Sequence, residues 1–256
     1  MNIFLIHGLG GSGRYFGDLE LRLKNIPRVR TYAPDLLGFG RNAERLGPFT
    51  LEIQLGHLTK EAKSTFGDDA VIVLGHSMGG VLAVEWAVQN PKRVKGIILL
   101  NTPLGSSSQE IREGIETIRS EFFDWGYLIL KYRPFTFLAC KILCKLNLMY
   151  FFKKLKPTYV PDAVFEDYHL HSWRSITETV ENIVLANPVL PAISKISKVP
   201  ILNIVATNDN PLMKKSLNFV NVTNYQLEGG HNLLLQHPQQ IFDLVNEFLA
   251  GLATAR

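Results

Sequence analysis

Residues 71–80 read VIVLGHSMGG, and this stretch decides the fold. The continuous apolar run at residues 70–74 predicts a strand that is buried on both faces. The run leads into the pattern GHSMG at residues 75–79, and residues 81–89 (VLAVEWAVQ) then predict a helix. A G-x-S-x-G pattern between a strand and a helix is typical of a nucleophile elbow, a sharp turn that exposes a serine hydroxyl. We therefore predict that Ser77 is a nucleophile; the alternative is a glycine-bounded turn without chemistry.

The glycines on either side of Ser77 provide the steric reason for this prediction. A serine held in a strained turn needs small neighbours two residues away on each side, and Gly75 and Gly79 meet that need. The turn also places the hydroxyl at the N-terminus of a helix, where positive partial charge favours a developing anion. The local sequence therefore favours nucleophilic attack.

Apolar runs that predict strands alternate with helical patterns over most of the chain. This alternation predicts an α/β protein with a mainly parallel sheet of about six strands and helices on both faces. One long interruption separates the predicted strand at 94–100 from the next one at 199–206. The remaining predicted strands are 2–7, 29–33 and 225–227, and the predicted helices are 14–25, 50–66 and 234–249.

The interruption predicts a helical insertion, because aromatic and aliphatic residues are dense through it. We predict an α/β core over residues 1–104 and 196–256 and a helical cap, or lid, over residues 105–195. Between Trp125 and Pro161 the insertion contains basic but no acidic residues. Two interpretations stay open: an amphipathic lid with solvated lysines, or a lid that also contacts an anionic membrane surface. Lysines inside the apolar run argue against a transmembrane span.

Three further motifs resemble those of the α/β-hydrolase superfamily when they are read in chain order with the elbow. They are HGLGG at residues 7–11, DLLGFG at residues 35–40, and the pair Asp209 and His231. The resemblance covers nearly the whole chain, and its specificity lies in the combination of motifs. It implies an α/β-hydrolase fold. Because larger members carry two more strands before the first of these motifs, we expect a shortened sheet.

The resemblance also implies a catalytic triad of Ser77, Asp209 and His231, in the chain order of the family. The residues themselves agree, because serine needs an imidazole to take its proton and the imidazole needs a carboxylate to fix its tautomer. Asp209 follows a predicted strand, where open α/β sheets place functional groups. His231 lies in a glycine-flanked loop. Asp35 competes for the role of the acid, but we interpret it as a residue that forms a turn.

By the same resemblance, the backbone amides of Leu9 and Met78 form the oxyanion hole. Two converging N–H groups are needed there because the substrate carbonyl oxygen becomes negative. His76 is interpreted as structural, since it is bound into the elbow turn. Arg41 stands close to where the family commonly has a serine, a departure that affects the rim of the pocket.

Composition excludes several other classes of protein. A net charge of +4 comes without a recognisable nucleic-acid module or P-loop, so we expect no nucleic-acid partner. The two cysteines, Cys140 and Cys144, are interpreted as buried thiols and not as a metal pair or a disulfide. No signal peptide is recognisable, and we predict a cytoplasmic protein that needs no metal or cofactor, with peripheral contact with the membrane as an open alternative.

These observations predict a serine hydrolase that cleaves carboxylic esters through an acyl-enzyme. Its apolar cap favours a substrate with an apolar acyl chain, such as a monoacylglycerol or a lysophospholipid. The alternatives with the same fold are a thioesterase, a carbon–carbon bond hydrolase and a cofactor-free haloperoxidase. A ligand-binding receptor on a hydrolase fold is the alternative outside the enzymes. The oligomeric state stays open.

Overall fold

A computed structural model of the chain describes residues 1–116 and 156–254. Within these two ranges a single sheet contains six strands, and every neighbouring pair is parallel. The order across the sheet is β2-β1-β3-β4-β5-β6. The predicted α/β fold with a parallel sheet of about six strands is therefore confirmed. The strands are β1 (Asn2–Ile6), β2 (Arg30–Tyr32), β3 (Val71–His76), β4 (Val94–Leu100), β5 (Ile201–Ala206) and β6 (Val222–Leu227).

Successive side chains of the central strands enter two different hydrophobic cores. In β1, Phe4 and Ile6 pack into the core on one face, whereas Ile3 and Leu5 pack into the core on the other. This follows from the two-residue period of a strand. Because both faces are apolar, helices must cover both. That requirement is the physical reason for the uninterrupted apolar runs in the sequence.

Helices α2 (Leu51–Phe66) and α3 (Met78–Gln89) cover one face, and α1 (Gly17–Lys24) and α9 (Pro238–Thr254) cover the other. The N-cap of α2 is Thr50, whose side chain accepts a hydrogen bond from the amide of Ile53. A 3₁₀ turn precedes α1, and a second one follows β2; they are Gly13–Phe16 and Gly40–Asn42.

Two elements at the end of the chain have bounds that differ from the sequence predictions. The last strand begins at Val222 and not at residue 225, because polar edge residues pair with β5 through their backbones and so leave no apolar signal. The closing helix is Pro238–Thr254 and not 234–249. Proline lacks an amide hydrogen and fits the first turn of a helix. The preceding residues form a separate short helix, α8 (Leu233–Gln236).

The described residues of the predicted cap are helical and attach to loops of the core. The cap elements are α4 (Ser108–Glu116), α5 (Asp162–Asp167), α6 (Trp173–Thr179), a π-helical turn (Val180–Leu185) and α7 (Val189–Ser194). The amide of Gly40 donates to the carbonyl of Leu170 at 2.9 Å, and Phe39 pairs with His171 in an isolated bridge. The helical character that was predicted holds for these elements, and the domain boundaries stay predictions.

Most of the basic run of the cap, and both cysteines, lie outside the described residues. No helix of residues 1–116 or 156–254 combines the length and the apolar character that crossing a membrane requires.

Candidate active site

Ser77 occupies the turn between β3 and α3 in an uncommon backbone conformation. Its φ is 54° and its ψ is −121°, although residues with a side chain rarely adopt positive φ. Its amide donates to the carbonyl of Leu100 at 2.9 Å, and its carbonyl accepts from the amide of Gly80 at 2.9 Å. Strained residues persist only where their surroundings hold them. Here β4 on one side and the first turn of α3 on the other fix the serine.

Glycine is required around this turn because backbones approach too closely for a side chain. An added Cβ at Gly75 would overlap the backbone of Gly79, and one at Gly79 would overlap the carbonyl of Ile6. Gly8, in the loop after β1, also lies close to the elbow, since a Cβ there would stand 3.2 Å from the Cβ of Ser77. The G-x-S-x-G pattern therefore lets the elbow pack directly against the end of β1.

His231 joins the other two predicted triad residues through hydrogen bonds. Its Nε2 lies 3.0 Å from the Oγ of Ser77, and its Nδ1 lies 2.8 Å from the Oδ2 of Asp209. The side chain of Asp209 is 1% exposed, and that of His231 is 13% exposed. The second carboxylate oxygen of Asp209 accepts from the amide of Asn210 at 2.7 Å. A carboxylate at Nδ1 favours the tautomer that leaves Nε2 free to accept a proton from serine.

Topology explains why residues far apart in sequence meet here. Ser77 follows β3 directly, Asp209 lies in the loop after β5, and His231 lies in the loop after β6. Parallel strands end at the same edge of a sheet, so these loops share one edge. The structure thus brings together all three side chains that the sequence predicted for the triad.

One predicted oxyanion amide, that of Leu9, lies in the loop after β1, and the other, that of Met78, begins α3 directly after Ser77. Among the described residues, no group accepts a hydrogen bond from the amide of Leu9 or of Met78. Met78 is the first residue of α3, a position whose amide lacks a partner within the helix. His7 holds the first loop, because its Nδ1 donates to the carbonyl of Gly8 at 2.8 Å. Both amides are therefore free to donate to an oxyanion, and their role stays a prediction.

His76 lies directly beneath the loop that carries His231. Its Nε2 donates to the carbonyl of His231 at 3.0 Å, and its ring stacks on Tyr15 with 4.5 Å between centroids. Burial lowers the pKa of His76 to about 3. The ring is therefore neutral at physiological pH, and it can donate only from the nitrogen that faces the carbonyl.

Asn101 is a site residue that the sequence analysis missed. It follows β4, is fully buried and has a φ of 44°. Its side-chain amide donates to the carbonyls of Gly230 and His231, at 3.1 and 2.9 Å. The sequence feature that could have indicated this residue is an asparagine directly after a strand, because asparagine tolerates positive φ and bonds to nearby backbone groups.

Asp35 organises a turn, as interpreted from the sequence. Its carboxylate accepts hydrogen bonds from the amide of Gly13 at 2.8 Å and from the amide and Nε of Arg41 at 2.9 Å each. Burial alone would raise the pKa of Asp35, but these hydrogen bonds hold it below its ordinary value. Both oxygens are thus committed to the loops that start α1 and follow β2. Within residues 1–116 and 156–254, no group of three or more His, Cys, Asp and Glu residues could hold a metal ion.

Comparisons with known proteins relate the whole chain to one fold and shorter stretches of it to lipases. The sequence profile of the alpha/beta hydrolase fold matches residues 2–214. Lipase LipV of Mycobacterium tuberculosis is 32% identical over 116 residues, which cover 45% of this chain and 42% of that protein. The (Lyso)-N-acylphosphatidylethanolamine lipase of Mus musculus is 33% identical over 103 residues, which cover 39% of this chain and 29% of that protein.

A solved structure is similar over nearly the full length. The structure of MenH from S. aureus has a TM-score of 0.72 at 16% identity, covering 99% of this chain and 94% of that one. At this identity the similarity shows the fold alone. The matches to the two lipases span less than half the length of either protein.

Proposed function

Because this chain belongs to the alpha/beta hydrolase fold family, we propose that it is a serine hydrolase that cleaves carboxylic esters through an acyl-enzyme on Ser77. The observation that carries the proposal is the hydrogen-bonded series from the Oγ of Ser77 through His231 to the buried carboxylate of Asp209. A serine alone is a weak nucleophile, and this arrangement is the one that activates it. Its position in a strained elbow beside two free amides adds support.

The groups of the site divide the proposed reaction among them. The Oγ of Ser77 attacks the ester carbonyl while the Nε2 of His231 takes the hydroxyl proton. The amides of Leu9 and Met78 stabilise the oxyanion of the tetrahedral intermediate. When this intermediate collapses, the imidazolium gives its proton to the departing alcohol. A water molecule then attacks the acyl-enzyme with the same imidazole as base, which releases the acid and restores Ser77.

We infer that the substrate carries an apolar acyl chain, as in monoacylglycerols or lysophospholipids. Two observations support this class: the apolar composition of the predicted cap and the similarity of stretches of the chain to proteins named as lipases. Thioesters would react through the same acyl-enzyme, so a thioesterase is the nearest alternative. A carbon–carbon bond hydrolase or a cofactor-free haloperoxidase would use the same fold. A receptor would have no need of an activated serine.

The first test replaces the nucleophile. Ser77→Ala is expected to leave folding intact and to lower the kcat for a nitrophenyl ester by about 10⁴-fold or more. The matched control is Ser194→Ala, because Ser194 is exposed and its hydroxyl donates to the carbonyl of Pro191 within α7. A fluorophosphonate should label wild-type protein at Ser77, as located by mass spectrometry. A folded Ser77→Ala protein that keeps most of its activity would refute the assignment, and an absence of labelling would favour the receptor.

The second test concerns the acyl group. Each methylene buried in an apolar pocket contributes about 0.8 kcal/mol, so kcat/KM should rise with acyl length from acetyl to at least octanoyl. The series is measured at low salt and below the aggregation limit of each substrate, with matched thioesters in parallel. A steady preference for acetyl would mean that the substrate is a small ester and not a lipid ester. A cytoplasmic location and salt-sensitive contact of the basic cap with anionic vesicles remain predictions from the sequence.

A further inference from the structure

Four adjacent strands each deliver a polar residue at the edge of the sheet that carries the site. Ser77 follows β3, Asn101 follows β4, and the loops after β5 and β6 carry Asp209 and His231. Three of these residues have roles in the proposed chemistry. Asn101, which lies between the serine and the acid in the order of the strands, has none.

The side chain of Asn101 connects two loops of the site. Its Oδ1 accepts a hydrogen bond from the amide of Ala206 at 2.8 Å, at the end of the strand that leads to Asp209. Its Nδ2 donates to the carbonyls of Gly230 at 3.1 Å and His231 at 2.9 Å. One side chain therefore ties the end of the acid strand to the backbone of the histidine loop. This needs a donor and an acceptor on the same short side chain, which an asparagine amide provides.

The carbonyl of His231 is held from two sides. Besides the Nδ2 of Asn101, it accepts a hydrogen bond from the Nε2 of His76 at 3.0 Å. Both donors are buried, so water does not compete strongly with them. Fixing this carbonyl fixes the Cα from which the imidazole of His231 projects. The bonds to Ser77 and Asp209 then align the ring.

The backbone of Asn101 also indicates that this side chain serves a purpose. A φ of 44° carries a conformational cost for any residue with a Cβ, and glycine would adopt it freely. Three buried side-chain hydrogen bonds compensate that cost, and glycine could make none of them. From these contacts we propose that Asn101 is a positioning residue that holds His231 in line with Ser77 and Asp209. This inference rests on the proposed function.

The test compares variants of Asn101 with a matched buried asparagine. Asn101→Gly suits the positive φ and removes all three side-chain bonds. Asn101→Asp keeps the acceptor for Ala206 but turns an oxygen toward the carbonyls of Gly230 and His231. The control is Asn203→Ala, because Asn203 is equally buried in β5 and donates to Lys215 and Asn224, away from the histidine loop.

Three quantities are measured for each folded variant: kcat and KM for a nitrophenyl ester, the rate of labelling by a fluorophosphonate, and Tm. Both Asn101 variants should lose about 10- to 100-fold in kcat and in labelling rate, with KM within about twofold, since small misplacements of a catalytic group have effects of this size. The Asn203→Ala variant should lower Tm but keep wild-type kcat and labelling. The labelling rate requires no knowledge of the natural substrate.

A change in Tm alone would overturn the positioning role. If Asn101→Gly keeps wild-type kcat and labelling, Asn101 is only structural; if that variant does not fold, the same result with Asn101→Asp overturns the proposal. Wild-type kinetics in Asn101→Asp would also overturn the proposal, because that variant keeps the bond to Ala206 and loses both bonds to the histidine loop. Activity that survives in Ser77→Ala would instead refute the proposed function. The two failures are therefore distinguishable.

Discussion

Replacing Asp209 by asparagine should leave the shape of the site unchanged but prevent His231 from acting as the base in the proposed reaction. In the structure, one carboxylate oxygen accepts from the amide of Asn210 at 2.7 Å, and the other faces the Nδ1 of His231 at 2.8 Å. An asparagine at this position keeps its oxygen toward the amide of Asn210, because that amide can only donate. Its NH₂ group must then face His231.

The consequence is a change of tautomer. An NH₂ group donates to Nδ1, so the imidazole proton moves to Nε2, which lies 3.0 Å from the Oγ of Ser77. In that state the imidazole has no lone pair with which to take the hydroxyl proton. The expected loss in kcat is roughly 10³- to 10⁴-fold. At 1.36 kcal/mol per tenfold change, this corresponds to about 4–5.5 kcal/mol of lost transition-state stabilisation.

Asp35→Asn is the matched control, because Asp35 is the other buried aspartate considered as the acid. The substitution would remove the ion pair with Arg41 and one acceptor for the amide of Gly13 or for Arg41. Its free energy of unfolding should fall by about 1–3 kcal/mol, while kcat stays within about tenfold of wild type. The assay is hydrolysis of a nitrophenyl ester at saturating substrate, with urea unfolding of both variants.

Two results would refute this reasoning. If folded Asp209→Asn kept more than a tenth of wild-type kcat, the carboxylate would not set the tautomer of His231. If Asp35→Asn lowered kcat more than Asp209→Asn did, Asp35 would be the acid and the geometry at His231 would be incidental.

Three other predictions concern stability and the elbow. Gly79→Ala should abolish both soluble expression and fluorophosphonate labelling, because its Cβ would overlap the carbonyl of Ile6; a folded, labelled variant would contradict the packing. Burial lowers the pKa of His76 to about 3 and that of His171 to about 4, so only the unfolded chain binds these protons as the pH falls below about 6.5. The free energy of unfolding should therefore fall from pH 6.5 toward 4 by up to about 1.4 kcal/mol per pH unit for each histidine, and the slope should be smaller in His76→Gln. Urea unfolding at several pH values measures this slope, and a flat profile would disprove the prediction. Asp167→Asn should lower the free energy of unfolding by about 1–3 kcal/mol, because the buried carboxylate accepts from the Nε of Arg14 at 2.7 Å; an unchanged urea midpoint would count against this contact.

Much of the fold could be predicted from local patterns, because each pattern reports a local physical requirement. Residues 71–74 are apolar at every position, as a strand that is covered on both faces requires. Gly75 and Gly79 mark the elbow because backbone approaches there exclude a Cβ. The start of β6 was misplaced, since edge pairing through the backbone leaves no pattern in the side chains. The start of α9 was misplaced because the apolar residues before Pro238 belong to the separate short helix α8.

The same distinction between local patterns and tertiary contacts applies to the candidate site. The sequence by itself determined the candidates for the chemistry, since Ser77, Asp209 and His231 each stand beside a strand end or a glycine turn that can be recognised locally. Only the tertiary structure decided what holds them together. Asn101 and His76 meet the carbonyl of His231 across 130 and 155 residues of sequence. A hydrogen bond to a backbone carbonyl requires no particular residue type at the acceptor, so no sequence pattern records such a bond. These two contacts form because β3, β4 and β6 end at one edge of the sheet.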